Sequence, residues 1–369
     1  MLPVSVIIPH YNNPENLRPC LESLGNRDRS APHHEIVVVD DGSVDDSVAW
    51  IRKNFPQARV LKCAENRGFV SAIWEGVRNT AGEILVFLNN DTRVEPGWLK
   101  ALLEPILSGD AVGATGSVLL DWEGKRALFK GGTVNYLGFG FEDQGDPPDP
   151  SGPSFPQLFV SGGAMAIARS QYLEAGGFDK GYGAIYEDVD LGWRLNLLGY
   201  ECQMVPASRV YHRAHASLGA QSFAAKAAYY IGNSLRTIFK NSDEEEHLRR
   251  VELAVSLAQA RERVCLLGET VAPGFLEGLA RMFRPGGGST PIVDALVREE
   301  ERTRSLAARR ADIRKRRKRS TRELFERFVP CPARRWYYDE EQNRLLEEKG
   351  YWAYERRMYE KYGLIQQSV

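Results

Sequence analysis

No stretch of this 369-residue chain approaches the roughly 20 consecutive apolar residues that a membrane-spanning helix needs, so nothing in it is expected to cross a bilayer. The five cysteines, Cys20, Cys63, Cys202, Cys265 and Cys331, are scattered without a C-x-x-C pair, which argues against a zinc site or a disulfide framework. No G-x-G-x-x-G follows the first strand-like run and no G-x-x-x-x-G-K-[ST] occurs. Neither a Rossmann pyrophosphate turn nor a P-loop is therefore available, and a diphosphate ligand needs another counter-charge. The opening "MLPVSVIIPHYNN" has no basic n-region and no small-residue cleavage site, and reads as a first core strand. Together with the unpaired thiols, this gives a cytoplasmic expectation.

What is present is a globular composition, 43% hydrophobic and 26% charged, on a chain long enough for two domains. Charge is unevenly spread. Residues 241–369 hold 26 Lys and Arg against 22 Asp and Glu, whereas residues 1–240 hold 22 against 27. The chain is accordingly read as a mildly acidic domain over 1–240 and a helical, densely charged region over 241–369.

Up to about residue 120, short β-branched runs alternate with amphipathic stretches. Strands are expected at Val4–Ile8, Ile36–Val39, Arg59–Lys62, Ile84–Leu88 and Val112–Val118, with helices such as Val70–Asn79 and Trp98–Leu107 between them. That alternation predicts an α/β fold with a mostly parallel sheet covered by helices. Ligands of such sheets bind beyond the carboxyl ends of the strands. There the sequence places "PHYNN", "DDGSVDD", "ENRG" and "NNDT", four polar clusters expected along one edge. Turn chemistry alone accounts for any one of them.

Further along, "GDPPDPSGPSFP" (145–156) reads as a loop that orders on binding, and "LFVSGGAMAIARSQYLEAGGFD" as a strand, a Gly-Gly approach and a helix. "YEDVDLGWRLNLLGY" reads as a helix with Val189, Trp193 and Leu197 on its apolar face and Gly199 as its stop. Asp91 is a candidate oxygen ligand for Mg²⁺ or Mn²⁺, which need only one or two protein carboxylates beside substrate phosphates and water. His212 is a candidate nitrogen ligand suited to Mn²⁺, with His215 a nearby decoy. Glu187 and Asp188 fit a helix N-terminus on dipole grounds alone, and equally fit a general base whose pKa an adjacent acid raises.

In order and spacing, "VSVIIPHYN", "EIVVVDDGSVDDS", "ENRGFVSAIWEGVRNTAGEILVFLNNDTRVEPGWL", "GGAMAIARSQYLEAGGFD", "YEDVDLGWRLNLLGY" and "VYHRAHAS" resemble the family 2 glycosyltransferases of the GT-A fold. The similarity runs over about residues 3–240 and is nearest the bacterial rhamnosyltransferase-like branch. The resemblance implies an inverting hexosyltransferase, with Pro9 and Tyr11 lining the base pocket, Asp41 on the base edge and Asp40 beside it. It also implies Arg67 and Gly68 near the nucleotide, Asn89-Asn90-Asp91 in the D-x-D position, Asp188 of the Glu187-Asp188 pair as base, and His212 completing a Mn²⁺ or Mg²⁺ shell. The first acid of D-x-D is Asn89 here, so the site carries one charge fewer. The donor is expected to be a UDP- or dTDP-sugar and the acceptor a saccharide, lipid-linked or protein hydroxyl. A non-catalytic GT-A-like scaffold is the alternative.

Between Arg302 and Arg322 there are 11 basic residues and the single acid Asp312. This run reads as a solvated helix face or as a contact for anionic lipid on the inner membrane face, with nucleic acid ranked below. The aromatic run "RRWYYDEEQNRLLEEKGYWAYERRMYEKYG" reads as helical packing or a homo-oligomer contact.

Overall fold

The computed structural model describes residues 3–25, 33–109, 111–213, 223–271, 300–331, 333–335 and 340–364. By its internal contacts the chain divides into two compact units. The first comprises Met1–Thr133, Phe141–Ala220 and Arg317–Arg319, and the second Val134–Gly140, Gln221–Arg316 and Ser320–Val369.

Unit 1 is built on strands β1 (Val4–His10), β2 (His34–Asp40), β3 (Ala58–Lys62) and β4 (Ile84–Leu88), linked by helices α1 (Pro14–Gly25), α2 (Ser47–Asn54) and α3 (Phe69–Arg78). β1 pairs in parallel with both β2 and β4, and β2 with β3. The chain therefore steps outward from β1 to β3 and returns through α3 to the other side of β1. That reversal opens a crevice between the carboxyl ends of β1 and β4, the place where open α/β sheets bind ligands. β4 is buried along its whole length, as expected of a β-branched and aromatic run with helices on both faces. α3 turns Val70, Ile73 and Val77 inward, and Gly76 lets it approach so closely that a Cβ there would meet Ile7 Cγ2 at 2.4 Å.

The chain continues through β5 (Thr92–Val94), α4 (Trp98–Ser108), β6 (Val112–Leu120), β7 (Ala127–Phe129), β8 (Gly132–Val134), β9 (Gly140–Glu142), β10 (Phe155–Gln157), β11 (Ala164–Ala168), α5 (Arg169–Glu174), α6 (Glu187–Leu197) and β12 (Glu201–His212), of which β8 and β9 pair apart from the main sheet. β11 lies antiparallel between β4 and β6, while β12 runs parallel to β6. β6 and β12 thus end at the same edge as β1 and β4, and β11 begins there.

Two sequence expectations need correction. In "LFVSGGAMAIARS" the strand follows the glycine pair, because Ala164–Ala168 is the segment that pairs with β4. α6 is also not one-faced. It is buried all round, and Asp190, Arg194 and Asn196, which it brings inside, make hydrogen bonds there. Arg194 donates to Asp190 Oδ2 from Nε (3.0 Å) and Nη2 (2.6 Å), and to the carbonyls of Ala175 and Gly177. Its carboxyl end is capped from far along the chain: Lys318 N donates to Leu197 O (2.7 Å), and Arg319 Nη1 to Tyr200 O (3.2 Å). The loop 145–156 is already held, with Arg209 Nη2 on Pro148 O (2.7 Å) and Ser154 Oγ on Gln203 Oε1 (3.1 Å).

Unit 2 is helical, containing α7 (Phe223–Asn241), α8 (Glu244–Leu267) and helices Glu300–Arg316, Thr321–Phe328, Glu340–Glu348 and Tyr351–Lys361. Tyr351, Trp352, Tyr354 and Tyr359 are buried, and the Arg261 guanidinium lies 5.2 Å from the Tyr351 ring and 5.3 Å from that of Trp352. This part of the aromatic run is packing surface. Trp336, Tyr337 and Tyr338 lie outside the described residues, as does His215. No helix among the described residues is long and apolar enough to cross a membrane.

Candidate active site

At the carboxyl end of β1, Asn12 (φ 53°) and Asn13 (φ 58°) take left-handed backbone, which Asn tolerates. The turn is laced to the loop after β2: Asn12 N donates to Ser43 Oγ (2.8 Å), Val44 N to Asn12 Oδ1 (3.0 Å) and Asn13 N to Asp45 Oδ2 (2.7 Å). Pro9 lies within β1 beside Val39, and the Tyr11 ring is 45% exposed at the edge.

Asp40 and Asp41 are both buried. Asp41 accepts from Arg67 N at both oxygens (3.1 Å each) and from Gly68 N (2.7 Å), so it organises the turn into α3. Burial raises its carboxyl above the ordinary value, with those donors only partly offsetting it. Gly42 is required here: its φ is +77°, and a Cβ would sit 2.5 Å from the Glu65 carbonyl carbon. Asp40 Oδ2 accepts from Ser43 N (3.3 Å), while its buried Oδ1 has no hydrogen-bond partner among the described residues. A buried carboxylate oxygen left unpaired at a sheet edge suits a ligand donor. Arg67 points outward onto Glu65 (3.0 Å).

At the end of β4, Asn89 N donates to Gly163 O (2.8 Å), tying the loop before β11 to this strand. Asn90 Nδ2 lies 3.0 Å from His10 Nδ1. Asp91 is buried, with Oδ1 3.1 Å from His212 Nε2. The pairing of β5 with β12 puts Thr92 opposite His212, and Arg213 N donates to Asp91 O (3.0 Å). Burial pushes the Asp91 carboxyl up, but the bond to His212 and its charge more than offset this and leave it below the usual range.

Asp188 opens α6 and accepts from Gly162 N (3.0 Å) and Val189 N (2.8 Å). Burial raises its carboxyl, those backbone donors holding it back. Glu187 is buried with Oε2 unpartnered, and burial together with the Asp188 charge pushes it up to about 8. The residues before them, Ile185 (φ 64°) and Tyr186 (φ 70°), are both left-handed. For a β-branched residue that conformation stores strain of about 1–3 kcal/mol, a feature that clusters at functional sites.

Glu142, at the end of β9, was not anticipated. One side of it is open to solvent, yet it is walled closely enough that burial raises its carboxyl. Asp188 raises it further, while Gln144 and His212 pull it back. A direct link between the two ends runs through the glycine pair: Gly162 N bonds Asp188 Oδ2 while Gly163 O accepts from Asn89 N, so one turn ties Asp188 to the end of β4. No motif surrounds Glu142, so only the fold reveals it. His10, Ser43, Asp45 and Ser47 were likewise overlooked.

Among the described residues, no group of three or more His, Cys, Asp or Glu side chains converges as a metal site. The Asp91–His212 pair supplies one oxygen and one nitrogen donor. That set fits a divalent cation whose remaining positions are filled by phosphate oxygens and water.

Acids and amides gather at the β1/β4 reversal of a mostly parallel sheet, the place where such sheets take their ligands, and the fold is that of GT-A glycosyltransferases. Residues 5–149 match the model of Glycosyl transferase family 2, and the chain carries a glycosyltransferase domain of that family. O-antigen biosynthesis protein RfbC of Myxococcus xanthus is 30% identical over 240 residues, covering 62% of this chain and 18% of that protein. The N-acetylglucosaminyl-diphospho-decaprenol L-rhamnosyltransferase of Mycobacterium tuberculosis is 27% identical over 209 residues, covering 49% of this chain and 67% of that one. A crystal structure of GalNAc-T7 with UDP, GalNAc and Mn²⁺ superposes with a TM-score of 0.54 at 20% identity, over 70% of this chain and 51% of that one. The chain spans 18% to 35% of the length of the first three curated relatives it matches.

Proposed function

We propose that the domain is an inverting, metal-dependent glycosyltransferase that moves a sugar from a UDP- or dTDP-linked donor to a hydroxyl of a saccharide or lipid-linked acceptor in bacterial surface polysaccharide synthesis. The observation that carries this reading is the Gly162–Gly163 turn, whose Gly162 N donates to Asp188 Oδ2 (3.0 Å) while Gly163 O accepts from Asn89 N (2.8 Å), two residues before Asp91. It supports reading the proposed proton acceptor and the candidate cation site as parts of one site.

Tyr11, exposed just after β1, and Asp40 at the end of β2 suit a nucleobase, and Asn90 at the β1/β4 crevice suits the ribose. Asp91 and His212 would hold Mn²⁺ or Mg²⁺, whose chemistry is to neutralise charge developing on the leaving nucleoside diphosphate. Asp188 takes the proton of the acceptor hydroxyl, a role suited to a carboxylate raised by burial. Attack from the face opposite the leaving group inverts the anomeric carbon. Glu187, protonated near neutrality because its pKa is about 8, limits the charge beside the base.

The relatives bear on the pathway: one is named for O-antigen biosynthesis and another for rhamnose transfer to a diphospho-decaprenol. A lipid-linked acceptor also suits the basic run around Arg302–Arg322, and we place the protein at the anionic inner face of the cytoplasmic membrane.

The test is a panel of nucleotide sugars with Mn²⁺, read by thermal shift and by nucleotide release. A native-state ligand raises the melting temperature. Stabilisation and slow hydrolysis with one UDP- or dTDP-sugar are expected. A flat response across the panel would return the chain to the scaffold alternative.

A further inference from the structure

The four side chains Asp45, Ser47, His10 and Asn90 form one hydrogen-bonded line from the surface to the crevice. Ser47 Oγ lies 2.5 Å from Asp45 Oδ1, His10 Nε2 3.0 Å from Ser47 Oγ, and Asn90 Nδ2 3.0 Å from His10 Nδ1. Every proton on the line can be assigned. The Asp45 carboxyl is held below its ordinary value by bonds from Ser47 and Asn13, so it is ionised and only accepts. The Ser47 hydroxyl proton must therefore point to Asp45. Ser47 Oγ then offers only lone pairs to His10, so Nε2 carries the imidazole proton. Nδ1 is left bare, and it accepts from the amide of Asn90.

The consequence falls on Asn90. An amide has one donor end and one acceptor end, and in an isolated Asn either can face a ligand. Here the NH₂ end is committed to His10, so the carbonyl Oδ1 is turned outward, without a partner among the described residues. We propose that His10, oriented by Ser47 and Asp45, is a positioning residue that fixes Asn90 as a hydrogen-bond acceptor for a sugar hydroxyl of the nucleotide. The proposal rests on the reading of this crevice as the nucleotide-sugar site. His10 is buried, and burial lowers its pKa, so the imidazole is neutral as the line requires.

The test is calorimetry with Mn²⁺ and UDP or dTDP, each beside its 2′,3′-dideoxy counterpart, on wild type, His10→Leu, Ser47→Ala and Asn90→Ala. Wild type binds the hydroxylated nucleotide more tightly than the dideoxy form. His10→Leu cuts that preference about fivefold, the worth of one ordinary hydrogen bond, by weakening only the hydroxylated form. Ser47→Ala, a milder change at the far side of the ring, moves the ratio the same way by less. Equal weakening of both forms in His10→Leu and Ser47→Ala marks a merely structural role and overturns the proposal. So does an unchanged ratio in those variants while Asn90→Ala loses it, which leaves Asn90 as the hydroxyl acceptor without help from His10. An unchanged ratio in Asn90→Ala removes both the proposal and the ribose reading of Asn90.

Discussion

Nε2 of His212 lies 3.1 Å from Oδ1 of Asp91, and the backbone imposes that closeness. β5 leaves Asp91 directly and pairs with β12, so Thr92 stands opposite His212 and Arg213 N bonds Asp91 O. The pair is a product of strand register.

With Asn89 in the first D-x-D position, the protein offers a cation only one carboxylate and one imidazole here. Calorimetry is expected to detect little Mn²⁺ binding alone and clear binding once UDP or dTDP contributes its phosphates. Asp91→Asn and His212→Ala should each lose the nucleotide-dependent component. Tight Mn²⁺ binding without nucleotide would contradict the two-donor site.

Asp188→Asn removes the proposed base and should lower kcat by about 10²–10⁴-fold while nucleotide affinity is kept. Glu187→Gln replaces a side chain already protonated near neutrality, so turnover at pH 7 should change little. Because burial is what raises Asp188, and Glu187 is uncharged below about 8, the acidic limb of the Glu187→Gln pH profile should stay where it is in wild type. Equal losses in both variants would break the division of roles.

Glu187 also links stability to pH. Its folded pKa, about 8, lies above the ordinary carboxyl value, so the fold binds a proton that the unfolded chain has released. This contribution is complete below the unfolded pKa and is lost as pH rises through about 8. Glu355, raised by burial to about 7, acts in the same direction. Melting temperature should fall between pH 5 and 9, and fall less in Glu187→Gln and Glu355→Gln. Parallel slopes in wild type and both variants would refute the linkage.

Arg194→Ala strips the partner from buried Asp190 and two donors from the Ala175–Gly177 turn. Leaving such a charge uncompensated costs about 3–5 kcal/mol. Denaturant unfolding should register it as a lower midpoint with an unchanged slope.

The basic run is expected to float with vesicles containing anionic lipid and to remain behind with neutral ones. Binding indifferent to lipid charge would end the membrane assignment.

The sheet was legible because its strands are short β-branched runs that stop at polar clusters: Ile84–Leu88 is found at its expected limits, and Val4, Arg59 and Val112 begin or fall within observed strands. Asp91, Asp188 and His212 were legible because acids and a histidine at strand and helix ends are chemically conspicuous. Asp41 shows the limit of that reasoning, since its oxygens go to the backbone of Arg67 and Gly68. His10 ends β1 and Ser47 opens α2, and only the β1–β2 register brings them together. Glu142 ends a short hairpin with no periodic signal. The all-round burial of α6 was hidden because Asp190, Arg194 and Asn196 read as a polar face until their internal partners are known.

The cap on α6 reaches into how this protein can be cut. The segment Arg317–Arg319 belongs to unit 1, where Lys318 N and Arg319 N both donate to Leu197 O. A truncation after residue 240 would look conservative on a linear map but would delete these donors and leave the last carbonyls of α6 without them. The cap on α6 is complete only once Lys318 and Arg319, more than a hundred residues further along, have been made.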